Sequence, residues 1–302
     1  MKHFLHITTL ENEPDIEISS EEFTDLENAH RILSNAKDIE VIYDILIANY
    51  LDFEKQILHN AATFMIRNIT DYQSIFEIQQ SLNIRLVNLL TAARLYIDQL
   101  SQNVKNCFSK VPSISDEVDK FFAAEYDNNK DYRFMEALRN YVQHRGIPVH
   151  MTQHGIRWTS LEDDGFLEYN LELSSSLADL KGDKKFKKRV LYEIDEKVDL
   201  KAVTRSYLES ISNVHELARS LIANQVSDAR QLIEDAHLRF PAKYGKNLSS
   251  LCVLTQSDEE KIKPLPLLLD WDNIRLELQK RNKKLTNLKK RYVTGSLKVL
   301  KK

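Results

Sequence analysis

Residues Asp131–Arg145 read D-Y-R-F-M-E-A-L-R-N-Y-V-Q-H-R. Wound as a helix at ~100° per residue, this stretch places Phe134, Met135, Leu138, Tyr141 and Val142 on one apolar stripe. Arg133, Glu136, Arg139, Asn140, Gln143 and His144 take the opposite face. The three- and four-residue recurrence is that of an amphipathic helix. Asp127-Asn128-Asn129 makes a turn before it, and Gly146 and Pro148 stop it. The sequence therefore predicts a helix over Asp131–Arg145, with Arg139 and His144 both pointing away from its own core.

The same recurrence continues on either side. Upstream, a long helical pattern starts at Asp38 and carries Ile39, Ile42, Ile45, Leu46, Tyr50, Phe53, Ile57 and Leu58. A second spans 75–109, ended by Pro112, and a shorter helix over 115–127 is capped by Ser115-Asp116-Glu117. Residues 3–9 suit a short strand, and Ser19-Ser20-Glu21-Glu22 suits a helix start. Downstream, residues 155–173 alternate around turn residues at Glu162–Gly165, which predicts a β-hairpin. Asp179–Lys188 reads as a charged loop. Helical spacing returns over 190–222 and 226–238, and Pro264 and Pro266 mark a linker before a basic terminal helix. The fold class is mainly α. The expected organisation is an N-terminal strand and acidic segment (1–37), a helical bundle (38–150), a hairpin (151–178) and a helical C-terminal region with a basic tail (179–302).

Composition agrees. The 302 residues include only 6 Gly and 6 Pro, few for an all-β chain that needs many tight turns. Hydrophobic residues at 42% and charged residues at 29% are those of a globular protein that can bury its own core. Two isolated cysteines, Cys107 and Cys252, offer neither a disulfide framework nor a zinc-ligand pattern and suit a reducing compartment. No apolar run is long enough to span a membrane, and the N-terminus turns acidic at once, unlike a secretory signal. The expected location is the cytoplasm. The net charge of −3 hides an asymmetry: acids crowd the first 30 residues, and bases dominate from Arg275 onward. Such polarity points to a polyanionic partner or to a solvated basic tail.

The polar face of 131–145 suits phosphate chemistry. An imidazole moves protons near neutral pH. A guanidinium holds phosphoryl oxygens with paired donors and stays charged. An amide can orient either the imidazole or a ribose hydroxyl. Asn140 and His144 stand one turn apart, and Arg139 can bend toward them. The alternative is a solvated polar face that happens to contain a histidine.

Arg139-Asn140-Tyr141-Val142-Gln143-His144 resembles the signature of the HEPN superfamily, an arginine often followed by a polar residue, with a histidine four to six residues beyond. The longer string Leu138–Pro148 resembles uncharacterised bacterial proteins associated with that group. The resemblance covers about residues 38–150. It implies a HEPN-like helical bundle, a two-fold homodimer through the motif helices and, in active members, metal-independent RNA cleavage leaving a 2′,3′-cyclic phosphate. By that resemblance His144 is the acid/base, Arg139 the phosphate clamp and Asn140 the polar orienter. No cofactor is implied. A toxin or anti-phage role, with an antitoxin or other regulator as a further partner, follows from the same likeness. Inactive members imply the alternative, a dimeric interaction or nucleotide-binding module.

Other groups compete for attention. Gln143 shares the motif face. Arg94 and Asp98, four residues apart on the second long helix, can line a cleft facing that helix or form a surface ion pair. His144, His150 and His154 straddle a helix break, so no regular element sets a metal-ligand spacing, and no metal site is expected. Lys184-Lys185-Phe186-Lys187-Lys188-Arg189 is a basic run with one aromatic, suited to RNA phosphate or to a solvated loop.

Overall fold

The computed structural model describes residues 1–8, 15–67, 69–108, 114–160, 165–240, 250–256 and 264–293. The protein is mainly helical with two small antiparallel sheets. The described elements are β1 (Lys2–Ile7), β2 (Ile16–Ile18), α1 (Ser20–Ile66), α2 (Tyr72–Asn106), α3 (Ile114–Asn128), α4 (Lys130–His144), β3 (Met151–Trp158), β4 (Leu167–Ser176), α5 (Leu177–Gly182), α6 (Lys188–Glu193), β5 (Lys197–Asp199), α7 (Leu200–Leu238), β6 (Leu251–Gln256), β7 (Leu265–Pro266) and α8 (Asp270–Arg281), followed by a 3-10 turn at Leu288–Lys290. Among them no helix is long and apolar enough to cross a membrane.

Two compact units share these elements. The first comprises Met1–Ala48, Ala92–Phe121 and His215–Lys283. Its sheet runs β2-β1-β6-β7. In β1 the alternate residues His3, Leu5 and Ile7 are buried, as the period of a one-sided strand requires. Leu5 pairs with Val253 and His3 with Thr255. The His3 ring stacks on Phe23 at 4.1 Å, and its Nδ1 lies 2.9 Å from Thr255 Oγ1. The helical core holds Leu26, Leu33, Ile39, Tyr43, Leu46, Tyr96, Leu100, Ile222 and Ile233. Each fully buried side chain of this size contributes about 1.5–3 kcal/mol.

The second unit comprises Asn49–Thr91, Phe122–Val214 and Lys284–Lys302. Phe53, Leu82, Leu86, Leu90, Phe134, Met135, Leu138, Leu208 and Ile211 fill its core. Its sheet runs β3-β4-β5. Gly155 sits opposite Asn170, and a Cβ there would lie 2.1 Å from the Asn170 side-chain oxygen, so the glycine makes room for that amide. The chain leaving α4 is tied down at once: the Val149 N–H donates to Asn83 Oδ1 at 2.8 Å, and Gln79 donates to the Val149 and His150 carbonyls.

Several expectations shift. The helical pattern read from Asp38 is one helix already under way from Ser20, where Ser19 Oγ accepts from the Glu22 N–H at 3.1 Å. The charged loop at 179–188 contains the end of α5 and the start of α6. The patterns at 190–222 and 226–238 resolve into α6, β5 and the single helix α7. Pro266, read as part of a linker, pairs with Cys252 in β7, an edge strand where a missing N–H is tolerated. The terminal helix is α8, which opens on Asp270 and Asp272 and only ends basic. Pro112, the hairpin-turn residues 161–164 and the tail beyond 293 lie outside the described residues.

Candidate functional site

The site is built on α4. Asn129 starts the helix: its side-chain oxygen accepts from the Asp131 and Tyr132 N–H groups, at 3.0 and 3.4 Å. The same amide donates to Ser206 Oγ and Ser210 Oγ on α7, at 3.1 and 2.9 Å. At the far end the Arg145 and Gly146 N–H groups both return to the Tyr141 carbonyl. A Cβ at Gly146 would stand 2.4 Å from the Tyr141 hydroxyl, so a larger residue there would make that ring shift.

Arg133, which the helical wheel assigns to the polar face, is in fact only 8% exposed. Its Nε donates to Glu193 at 2.8 Å, and its Nη1 donates to the Tyr126 and Asp127 carbonyls at the end of α3. Those are carbonyls a helix terminus leaves unpaired. The buried guanidinium is tolerated because its Nε and Nη1 meet acceptors.

The motif residues divide between two flanks of α4. On one flank the buried Tyr207 hydroxyl donates to Glu136 at 2.6 Å, Glu136 lies 3.9 Å from the Arg139 guanidinium, and Arg139 donates to Gln143 at 2.9 Å. Burial and the Glu136 charge push the Tyr207 phenol well up. The Arg139 side chain is 14% exposed and its Nε is buried without a hydrogen-bond partner. This corrects the expectation that Arg139 points away from the core as His144 does. The wheel angle is right, but α7 covers that side of the helix.

On the other flank Asn140, Tyr141, His144 and Arg145 border a hollow of about 400 Å³. Its opposite wall is Asp183, Lys185, Phe186 and Lys187, from the basic run between α5 and α6. Asp183 shapes that wall: its carboxylate accepts from the Lys185 N–H at 3.1 Å, its carbonyl accepts from the Phe186 N–H, and it sits 3.7 Å from Arg145 Nε. Lys187 reaches the Tyr126 hydroxyl at 3.1 Å. Phe186 is buried edge-on to Tyr141, with ring centroids 6.1 Å apart. Burial, then the charges of Asp179 and Asp183, raise the Tyr141 phenol. Among the described residues the side chains of Asn140, His144 and Lys185 make no hydrogen bond or ion pair, and all three are exposed.

The structure thus brings Asn140 and His144 to one hollow and leaves Arg139 and Gln143 on the neighbouring flank. Arg94 and Asp98, in the first unit, pair with each other at 2.5 Å on α2. His150 Nδ1 accepts from the Ser176 N–H, and His154 stacks on Phe64 at 4.1 Å. Burial lowers the basicity of both imidazoles. Among the described residues no three His, Cys, Asp or Glu side chains form a group that could hold a metal. The wall opposite His144 is what the sequence left undecided. Its signal was the basic run with one aromatic, but nothing local says that 184–189 returns to α4. Compared with known protein families, characterised proteins and solved structures, the chain gives no match.

Proposed function

We propose that this protein is a HEPN-type, metal-independent endoribonuclease acting at the hollow beside α4. The observation that carries the reading is the meeting of His144 and Asn140, an imidazole and an amide unengaged among the described residues, with three cations, Arg145, Lys185 and Lys187, and one carboxylate, Asp183, around one concavity. Unengaged donors facing cations across a hollow are what a phosphodiester requires.

In the proposed reaction the ribose 2′-oxygen attacks the adjacent phosphorus, its proton leaves to a base, and the bond to the 5′-oxygen breaks as that oxygen takes a proton. The products are a 2′,3′-cyclic phosphate and a 5′-hydroxyl. His144 moves the proton. Asn140 orients it or the ribose. Arg139 steadies the phosphoryl charge once its fork leaves Gln143, in a homodimer that sets two motif helices together. As an effector of this kind, a toxin or anti-phage protein, it would answer to an antitoxin or other regulator.

The test is purified protein with mixed RNA in excess EDTA. Cleavage should persist, the ends should be cyclic, and a 2′-deoxy substitution at the cut site should block it. Loss of cleavage in EDTA, or full activity in His144→Ala, overturns the reading.

A second reading, a non-catalytic RNA- or nucleotide-binding module, is favoured by one observation. Arg139 is already engaged by Glu136 and Gln143, outside the hollow. Growth separates the two: expression of the wild-type chain should be toxic and His144→Ala harmless for a nuclease, with no difference for a module.

A further inference from the structure

Resting on the RNA reading above, the geometry points to a substrate class: the hollow takes one unpaired nucleotide of a single-stranded RNA, with its phosphate on Lys185 and its base against Tyr141. Three features carry this. The first is size. A volume of about 400 Å³ is near the lower end of the roughly 300–1,000 Å³ of ligand clefts, room for one nucleotide and not for a base pair. Bases inside an A-form duplex are stacked and cannot enter such a hollow, whereas a single strand can turn one out onto an aromatic ring.

The second feature is the wall chemistry. Tyr141 and Phe186 line the hollow as an edge-to-face aromatic pair 6.1 Å apart, and the absent side chain of Gly146 leaves room for the Tyr141 hydroxyl. The third is the state of the charges. Lys185 has its backbone fixed by Asp183, while its ammonium has no partner among the described residues. It is a cation whose backbone is anchored and whose charge is not neutralised by a described residue. The arginine-rich hollow of the first unit is different: Arg219 pairs with Glu40 and Glu216, Arg230 with Asp272 and Glu234, and Arg275 with Asp272. Each guanidinium there already has a carboxylate, so that hollow offers no free charge to a phosphate.

The experiment uses a short 2′-O-methyl oligonucleotide, which cannot be cut by 2′-oxygen attack, free or annealed to its complement. Wild-type protein should bind the free strand roughly tenfold more tightly than the duplex, the scale of one base stacked on an aromatic ring. Lys185→Glu should lose about tenfold in affinity for the free strand. It should also flatten the slope of log affinity against log salt by about 0.7 for the one phosphate contact removed, a change that a purely structural role of Lys185 would not produce. Lys185→Arg should restore both. Equal affinity for strand and duplex, or an unchanged slope in Lys185→Glu, overturns the inference. Unmodified RNA separates this from the cleavage reading. Cleavage that continues while Lys185→Glu binds and turns over RNA like wild type sinks the inference alone. Tight, Lys185-dependent binding without cleavage sustains it and sinks the nuclease.

Discussion

Nε2 of His215 lies 3.3 Å from Oε2 of Glu40, and both side chains are 1% exposed. The imidazole stacks on Tyr43 at 3.7 Å, and its Nδ1 is 2.9 Å from the Tyr96 hydroxyl. Arg219 clasps the Glu40 carboxylate with Nε at 2.8 Å and Nη2 at 2.6 Å, and Gln279 donates to it at 3.0 Å. These partners define the protonation states. Nε2–H of a neutral His215 donates to Glu40, and Nδ1 accepts from Tyr96. Burial pushes the Glu40 carboxyl up, but the hydrogen bonds from Arg219 and His215 outweigh it and hold the group at about 2, against an ordinary 4.5.

Acid should therefore unfold the protein in two stages. Burial lowers the basicity of His215, and also of His30, His150, His154 and His237. Each of these groups takes a proton more readily in the unfolded chain, so the stability it contributes is full above about 6.5 and declines as pH falls below it. Glu40 has a depressed folded value, so its contribution is present above 4.5 and is lost as pH falls toward 2. The expected Tm drops between pH 7 and pH 5 and again below pH 4.5. His215→Gln should flatten the first fall and Glu40→Gln the second. Glu40→Ala should cost on the order of 3–5 kcal/mol at pH 7 by stranding Arg219 and His215. Denaturant titrations across the pH range measure all three, and a Tm flat from pH 7 to pH 5 would count against the assignment of neutral buried histidines.

His144→Ala and Arg139→Ala should separate activity from stability. His144 is exposed and has no partner among the described residues, so its removal should lower cleavage by about 10²–10⁴ with the melting curve unchanged. Arg139 lies against Glu136, so its removal should lower cleavage and also cost about 1 kcal/mol of stability. Paired kinetic and thermal measurements check this; a Tm loss in His144→Ala equal to that in Arg139→Ala would argue for a shared structural role.

A homodimer through α4 should appear at tens of micromolar. Asn140, Gln143 and His144 present an exposed polar strip, and a proton-transfer site works best when a second surface excludes water from it. Sedimentation velocity should give the dimer mass; a stable monomer would leave the fold intact and weigh against catalysis.

Gly146→Ala should weaken RNA binding without touching a cation. The added Cβ would meet the Tyr141 hydroxyl at 2.4 Å and its ring at 2.8 Å, forcing the ring to move and the hollow to change shape. Affinity for a single strand should fall by about tenfold while the salt slope stays as in wild type. A lower slope would mean that charge contacts, not the ring, had been disturbed.

Helix α4 was legible to within a residue at each end because its signals are local: the Asp127-Asn128-Asn129 turn, the three-and-four spacing and the Gly146 stop. The start of α1 was legible in Ser19-Ser20-Glu21-Glu22, but its unbroken run from there into the pattern at Asp38 was not. Its first turns bury Ala29 and Ala36 alongside Leu26 and Leu33, and alanines dilute an apolar stripe that leucines would announce. Arg133 misled because a charged residue on a wheel reads as solvent-facing, and what makes its burial tolerable, Glu193 and the end of α3, lies outside its helix. The pairing of β1 with β6 joins residues more than 240 apart. The return of Lys185 to the face of His144 is equally non-local: each segment reads correctly alone, and only the fold brings them together.

The burial gradient along α4 makes the helix a cantilever. Asp131 through Met135, with Ala137 and Leu138, are clamped in the interior, and in the last turn Asn140, Gln143 and His144 are exposed while Tyr141 and Val142 are half-buried. Backbone amides near Phe134–Leu138 should exchange with deuterium only on global opening, while those of Gln143–Arg145 should exchange through local fraying. In the proposed reaction the imidazole that moves the proton would stand on the exposed last turn of this helix. A nucleotide bridging His144 and Lys185 would load that turn and slow its exchange selectively, so mass spectrometry could register occupancy of the hollow with no turnover at all.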